Sequence, residues 1–458
     1  MRARAGRTLL LLACLLAAVS ADAQNIVFTR SGSGAWAAGM ANAFIAVSDD
    51  GTAASWNPAG LGQLRKPELS VVSTTSGITL RAQGFRTRDN LSAFTTAQSS
   101  YRNTYLDFAS LAVPVTLWGK PVTFQGAWRR LYTLDYRELV SLDRVPLAAG
   151  ALPPAHIGSN NDVIGGVDLV SIAGAVKLTP RLALGGSFNL WRGDWTQDDA
   201  VTVTPLDVSG PTEFSVTSGT NRVRGHNVSL GLMLTYPRWS VGLLHQLPVH
   251  STFRSTGALT QSGVGPTPIP PFDGTLRFPY AFGVGGAWRP ATRWTVALDL
   301  SWDNWKDAVL DSPQTGEVSI FDNLPKNLTS TRDTLSVNAG AEHLFSGDGF
   351  VVPLRFGAAW EPQGARNAFT RDPANYVMLA AGTGYNTNSL KFDAALQFRW
   401  AHYQDGADFG MAAPFSPTLP SAVGERANHE WRLKLSLILR VTDTDKLRRA
   451  IRRVFGSG

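Results

Sequence analysis

Period-two alternation of apolar and polar residues, repeated along most of the chain, constrains this sequence more than any other feature. In residues 181–191 the even positions hold Leu182, Leu184, Gly186, Phe188 and Leu190, against Arg181, Ser187 and Asn189 at odd ones. The pattern returns with Trp294, Val296, Leu298, Leu300 and Trp302 against Arg293, Thr295, Asp299 and Asp303. It recurs with Leu390, Phe392, Ala394, Leu396, Phe398 and Trp400 against Lys391, Asp393, Gln397 and Arg399, and with Trp431, Leu433, Leu435, Leu437 and Leu439 against Arg432, Lys434, Ser436 and Arg440. Successive side chains of a strand point to opposite faces, so each run is a strand with one apolar and one polar face.

Counting such runs places strands near 67–76, 105–116, 121–137, 164–178, 181–194, 224–236, 238–250, 276–289, 292–306, 332–345, 351–361, 376–385, 388–403 and 429–441, fourteen in all. Brief turns (WGKP, LTPR, YPRW, RPAT, FSGDG) alternate with much longer connections, which assigns short and long loops to opposite rims. A soluble β-sandwich has no reason for that asymmetry. An outer-membrane barrel has one: its strands cross the hydrocarbon in roughly 9–11 residues, with short periplasmic turns and aromatic girdles. Trp118, Trp239, Trp288 and Trp294 flank short turns, and Trp191, Trp195, Trp302, Trp305, Trp400 and Trp431 lie near long loops, so two belts are expected. An even strand count allows closure with no edge left in lipid. The fold class is therefore all-β, a transmembrane antiparallel barrel of about fourteen strands.

Residues 1–23 read as a secretory signal peptide: three arginines, the apolar run TLLLLACLLAAV and the small-residue site Ala21-Asp22-Ala23. Cys14 is the single cysteine and lies inside that run, so cleavage leaves no thiol or disulfide chemistry. The formal charge of +7 falls to +5 without Arg2, Arg4, Arg7 and Asp22, and the tail from Thr442 supplies +3 of that through Lys446, Arg448, Arg449, Arg452 and Arg453 against Asp443 and Asp445. A nearly neutral body gives no argument for nucleic acid. The tail is expected to be a solvated or membrane-surface helix.

About forty residues between the cleavage site and the first strand lack alternation. Trp36, Met40, Phe44 and Val47 are spaced for a short amphipathic helix. Pro58 disfavours helical geometry at Asn57 and fixes its own φ, so Asn57-Pro58-Ala59 is expected to form a stiff corner, with Trp56 and the Asn57 amide set against a barrel wall.

The segment AWAAGMANAFIAVSDDGTAASWNPAGLG resembles the N-terminal plug signature of the outer-membrane hydrophobic-substrate transporters, the long-chain fatty-acid (FadL/TodX-type) family: a GxAxAFxAxxDD run, then WNPAGL. LRFPYAFGVGGAWRPATRWTVALDLSWDNW (276–305) and VPLRFGAAWEP (352–362) resemble barrel hairpins of that family. The resemblance implies a fourteen-stranded barrel with an N-terminal hatch (24–66) inside the lumen of a barrel spanning 67–441, followed by the basic tail 442–458. It also implies ligand capture at extracellular loops, rearrangement of the hatch and sideways release into lipid, in the outer membrane of a Gram-negative bacterium. Asn57, Pro58 and Ala59 match the hatch motif, and Asp49 and Asp50 the acidic pair before it. The chain departs from the family in ending on a basic tail rather than on a strand-closing aromatic.

The expected cargo is a hydrophobic small molecule, a long-chain fatty acid or an aromatic hydrocarbon. The 138–163 loop offers apolar capture surface through Leu139, Val140, Leu142, Val145, Leu147 and Leu152. A carboxylate-bearing cargo would want a lumenal cation, for which Arg129, Arg293, Arg399 and Arg432 are eligible. A neutral network of these arginines with Asp299, Asp303 and Asp393 is the competing reading. Phe44 and Trp56 complete the candidate substrate contacts, while Asp49 and Asp50 are expected to anchor the hatch rather than bind metal. No cofactor, metal or catalytic centre is expected. The seven histidines lack ligand spacing, and His226 and Ser229, three apart on one strand, point to opposite faces. The expected surroundings are outer-membrane lipid and lipopolysaccharide, with the protein a monomer. The alternatives are a passive porin and a non-transporting scaffold for secretion or adhesion.

Overall fold

The computed structural model describes residues 32–86, 97–147, 152–206, 212–321, 324–366, 372–407 and 422–441. The signal peptide and the basic tail lie outside the described residues. Nineteen strand segments follow in chain order: β1 (Glu68–Arg86), β2 (Ala97–Leu117), β3 (Lys120–Thr133), β4 (Tyr136–Leu147), β5 (Leu152–Lys177), β6 (Leu182–Pro205), β7 (Glu213–Thr235), β8 (Trp239–Gln246), β9 (Val249–Gln261) and β10 (Val264–Phe278). The rest are β11 (Ala281–Trp288), β12 (Trp294–Asp303), β13 (Val309–Ser312), β14 (Gly316–Ser319), β15 (Thr334–Ser346), β16 (Val351–Arg366), β17 (Pro373–Asn386), β18 (Leu390–Ala407) and β19 (Ala422–Arg440). β13 and β14 form a small hairpin in a long loop, and three wall strands are each broken in two (β3/β4, β8/β9, β10/β11). The wall is thus a fourteen-stranded antiparallel barrel, closed where β1 pairs with both β2 and β19.

Two breaks have a covalent cause. Pro248 and Pro279 have no amide hydrogen to give to the ladder, and they sit side by side between β8 and β9 and between β10 and β11. The third, at Leu134-Asp135, lies opposite Ile164-Gly165 of β5. Gly165 takes φ 135°, and a side chain there would run into Trp195.

Bulky hydrophobes cover the outside: Phe124, Ile172, Val284, Leu298, Phe356, Leu379 and Phe398 are all exposed. On the same strands Gln125, Asp299, Arg355, Gln397 and Arg399 are buried in the interior. Apolar outside and polar inside is the inverse of a water-soluble barrel, and only acyl chains solvate such a surface. Trp118, Trp239, Trp288 and Trp294 are exposed beside the short turns, as a girdle requires. The second belt needs correction, because Trp191 and Trp305 are buried in one apolar cluster instead of facing lipid.

The loop expected over 138–163 is mostly strand. Leu142 pairs with Ile157, Val145 with Ala155 and Leu147 with Leu152 in an extended β4–β5 hairpin. The side chains of Leu142, Val145, Leu147 and Leu152 lie outside the described residues.

Candidate substrate passage

Residues 32–66 run inside the barrel and touch strands around most of its circumference. The expected helix is shorter than its spacing suggested: α1 (Ala35–Gly39) is a single turn, ended by left-handed backbone at Ala41 (φ 49°) and Asn42 (φ 68°). Compact turns then bring Phe44 between Trp36 (4.9 Å, 77°) and Trp56 (5.8 Å, 66°), so that Phe44 lies in the segment's own core and shows no surface to the bore. The Trp56 indole N–H donates to the Ser33 carbonyl (2.7 Å), closing the segment on itself.

Asn57 takes the extended geometry that the following proline imposes (φ −150°, ψ 107°). Its side-chain oxygen Oδ1 accepts from the Ala59 amide (3.1 Å) and caps the turn Pro58–Gln63. Its NH₂ donates to Ile45 O (3.0 Å) and to Leu232 O of β7 (3.1 Å). One buried side chain therefore caps a turn, ties two parts of the segment together and joins both to the wall.

Inward wall residues satisfy the segment's other backbone groups. Asp299 accepts from the amides of Phe44 (2.6 Å) and Ile45 (2.8 Å). Asn338 donates to Ala41 O (2.8 Å), Gln397 to Ala38 O (3.0 Å), Ser240 to Ala46 O (2.7 Å), and the Ser436 hydroxyl accepts from Ala35 N (2.6 Å). Gln125 and Ser110 both donate to Gly51 O, and Glu68 accepts from Gly51 N (2.7 Å). Wall glycines let the backbones approach: Pro58 and Asn57 lie on Gly185 and Gly231, Ile45 on Gly242 and Gly285, Met40 on Gly340 and Gly357, Gly39 on Gly382. Alternation places those positions inward but does not say what rests on them.

Asp50 pairs with Lys391 of β18 at 2.7 Å and also accepts from the Thr52 hydroxyl and amide (2.6 and 2.9 Å). Burial alone would raise the Asp50 carboxyl, but Lys391 and these hydrogen bonds hold it below the usual carboxylate range. Asp49 is exposed.

Further along the bore, towards the long loops, the lining turns apolar. Tyr132, Val167, Trp191, Val223, Val249 and Phe278, from β3, β5, β6, β7, β9 and β10, form one buried cluster. Trp191 stacks on Phe278 (5.2 Å, 29°), and Tyr132 lies against the same ring (6.3 Å, 26°). Of these, the sequence singled out only Trp191, and for a belt.

Beside this cluster the wall has a seam. β2 and β3 are laddered from Leu117–Lys120 up to Phe108–Arg129. At Asp107 the β2 register shifts by one residue against β1, and among the described residues Ala97–Asp107 has no ladder partner on its β3 side. β3 and β4 pair instead with β5, across the break at Leu134-Asp135. The Asn103 amide donates to the Asp135 carboxylate across the seam, and the other Asp135 oxygen accepts from Gly165 N (2.6 Å). A cavity of about 80 Å³ lies against the seam, between Gly32-Ser33 and a wall that includes Tyr101, Tyr105, Leu131, Tyr132 and Leu134.

The eligible cations divide. Arg129 is buried and donates to Ser55 O (3.3 Å), so it holds the N-terminal segment. Arg399 pairs with Glu430 and, at 3.6 Å, with Glu361; Arg432 pairs with Glu430 at 2.5 Å; Lys434 pairs with Asp107 at 2.7 Å. Arg293 needs correction: β12 begins one residue later, at Trp294, and Arg293 sits exposed in the short turn outside the bore. The inward Asp299 meets backbone amides rather than an arginine.

No family model matches the sequence, and no curated protein does. Solved structures do. A Pseudomonas aeruginosa FadL homologue superposes with a TM-score of 0.63 at 13% identity, covering 91% of this chain and 99% of that one. The toluene transporter TodX of P. putida gives 0.60 at 15% identity (91% and 100%), and the Ralstonia pickettii toluene transporter TbuX 0.52 at 15% (90% and 100%). The chain has the fold of the FadL/TodX-type outer-membrane channels.

Proposed function

We propose that the protein carries hydrophobic small molecules across the outer membrane of a Gram-negative bacterium, through the aromatic bore and out sideways at the seam between β2 and β3/β4. Residues 32–66 act as a hatch that denies the straight path to water and ions. The observation that carries this reading is the unladdered edge of β2 beside an apolar, ring-lined bore. A closed wall would force cargo past a segment bonded to strands around most of the bore, whereas a seam without ladder bonds, bridged by the Asn103–Asp135 contact, offers a way into lipid. The solved neighbours named as toluene transporters support an apolar cargo, and no step here involves bond making or breaking. The 80 Å³ cavity is too small for a long acyl chain, so passage requires the seam to widen.

The test is to lock the seam. The chain's single cysteine, Cys14, lies in the leader, so Asn103→Cys with Asp135→Cys introduces a unique pair. Joined by a short reducible cross-linker, the pair should cut cellular uptake of radiolabelled toluene or oleate at least tenfold, and reduction should restore it. Undiminished uptake by the cross-linked protein would remove the sideways exit.

A further inference from the structure

On the outward face of β8, β11 and β12, at the short-turn end, a groove of about 330 Å³ lies between Trp239 and Trp288. In register, Trp239 stands opposite Trp288, and Gly286 stands between Val241 and Leu298. Gly286 floors the recess: a Cβ built there would meet nothing within 4 Å. Glycine weakens a strand, and close packing does not require it here, so the missing side chain leaves a slot on a surface otherwise covered by bulky hydrophobes. One wall of the slot is fixed, because Trp239 stacks on Tyr236 (4.2 Å, 19°) with the Arg181 guanidinium over that ring at 4.5 Å.

The head of the groove is cationic. The turns that follow β7 and β11 lie side by side, Arg289 N donating to Arg238 O at 2.7 Å. Between them, residues 236–238 and 289–293 hold Arg238, Arg289 and Arg293 and no carboxylate. Arg289 turns inward and donates to Ser240 Oγ (3.3 Å), which leaves Arg238 and Arg293 exposed at the interface.

We propose that this groove binds one anionic phospholipid of the leaflet that meets the short turns, an acyl chain lying against Gly286 and the phosphate on Arg238 and Arg293. An apolar slot beneath exposed guanidinium groups fits both halves of such a molecule. A second copy of the chain would bring the same recess and the same positive charge, which complement neither. In barrels of this kind short turns are periplasmic, which selects phospholipid rather than lipopolysaccharide.

Native mass spectrometry of the full chain in detergent, titrated with dioleoyl phosphatidylglycerol or dioleoyl phosphatidylethanolamine, tests this. One phosphatidylglycerol should be retained at a concentration at least tenfold below that needed for phosphatidylethanolamine. Arg238→Gln with Arg293→Gln should erase the preference. Gly286→Phe, which projects into open space, should abolish retention of both lipids while the heat-modifiable gel mobility of a folded barrel is unchanged. Equal retention of the two lipids by the wild type, retention unaffected by these variants in folded protein, or a lipid-free mass of two chains would each overturn the proposal.

Discussion

Asp50 of the N-terminal segment and Lys391 of β18 meet at 2.7 Å, both almost entirely removed from solvent. The pair belongs to a longer chain: Lys391 to Asp393 (3.8 Å), Asp393 to Arg355 (2.7 Å), Arg355 to Glu342 (2.7 Å), with the Lys391 ammonium 3.6 Å from the centre of the Trp36 ring. Removing one partner of a buried pair leaves an uncompensated charge and costs about 3–5 kcal/mol, whereas removing both can be neutral. We therefore predict that Asp50→Asn loosens the segment and produces single-channel openings in planar bilayers, and that the wild type is silent there. Asp50→Leu with Lys391→Met should be quieter than Asp50→Asn alone. A silent Asp50→Asn channel would show that the pair does not retain the segment.

The same pair sets a pH dependence. The Asp50 carboxyl is held below its ordinary value of 3.8, against the desolvation that burial imposes, so it binds protons less readily docked than undocked. A lowered carboxyl pKa gives stabilisation that is complete above the ordinary value and is lost as pH falls through the lowered one. Conductance should stay near zero from neutrality down to about pH 4 and rise only below that, and Asp50→Asn should remove this acid step. Openings that begin at pH 5 to 6 and persist in Asp50→Asn would assign the step to another group.

The barrel was legible because alternation is local: Leu298 and Leu300 against Asp299 needs no knowledge of any neighbour. Asn57-Pro58-Ala59 was legible as a corner for the same reason, since Pro58 restricts the residue before it whatever surrounds them. What escaped depends on partners. Nothing in the sequence around Gly165 marks the break at Leu134-Asp135 that it faces. Gly185, Gly231, Gly285 and Gly340 lie far apart in sequence and share a role only because one segment rests on all of them. Trp191 near a long loop suits a belt or a bore lining equally, and strand parity decides between them. Arg293 was assigned inward by extending a true alternation one residue past the start of β12, where the turn ends the pleat.

Two adjacent glycines separate the roles of the two faces. A methyl on Gly285 would come 2.8 Å from Ile45 Cβ and 2.9 Å from Ala46 N, while one on Gly286 meets nothing within 4 Å. Overpacking of this kind costs about 1–3 kcal/mol when the neighbour cannot yield. Gly285→Ala should raise bilayer conductance and expose residues 32–66 to added protease, and Gly286→Ala should do neither. Equal behaviour of the two variants would mean that the segment is not seated on β11 as described.

Trp191 tests whether the aromatic bore selects cargo. Its ring is oriented by a hydrogen bond from Nε1 to Asn227 Oδ1 (3.0 Å) and stacks on Phe278, so its contacts are to the wall rather than to residues 32–66. Trp191→Ala should therefore lower uptake of an apolar cargo without raising ion conductance, the signature that separates a passage residue from a hatch anchor such as Asn57. Aromatic pairs contribute about 0.5–1.5 kcal/mol beyond their buried area, so a loss of roughly 2- to 12-fold is expected from stacking alone. Trp191→Phe should recover most of it, because the stacking surface remains while the indole hydrogen bond is lost. If Trp191→Ala took up radiolabelled toluene at the wild-type rate, the cargo would not travel along the Tyr132–Trp191–Phe278 face.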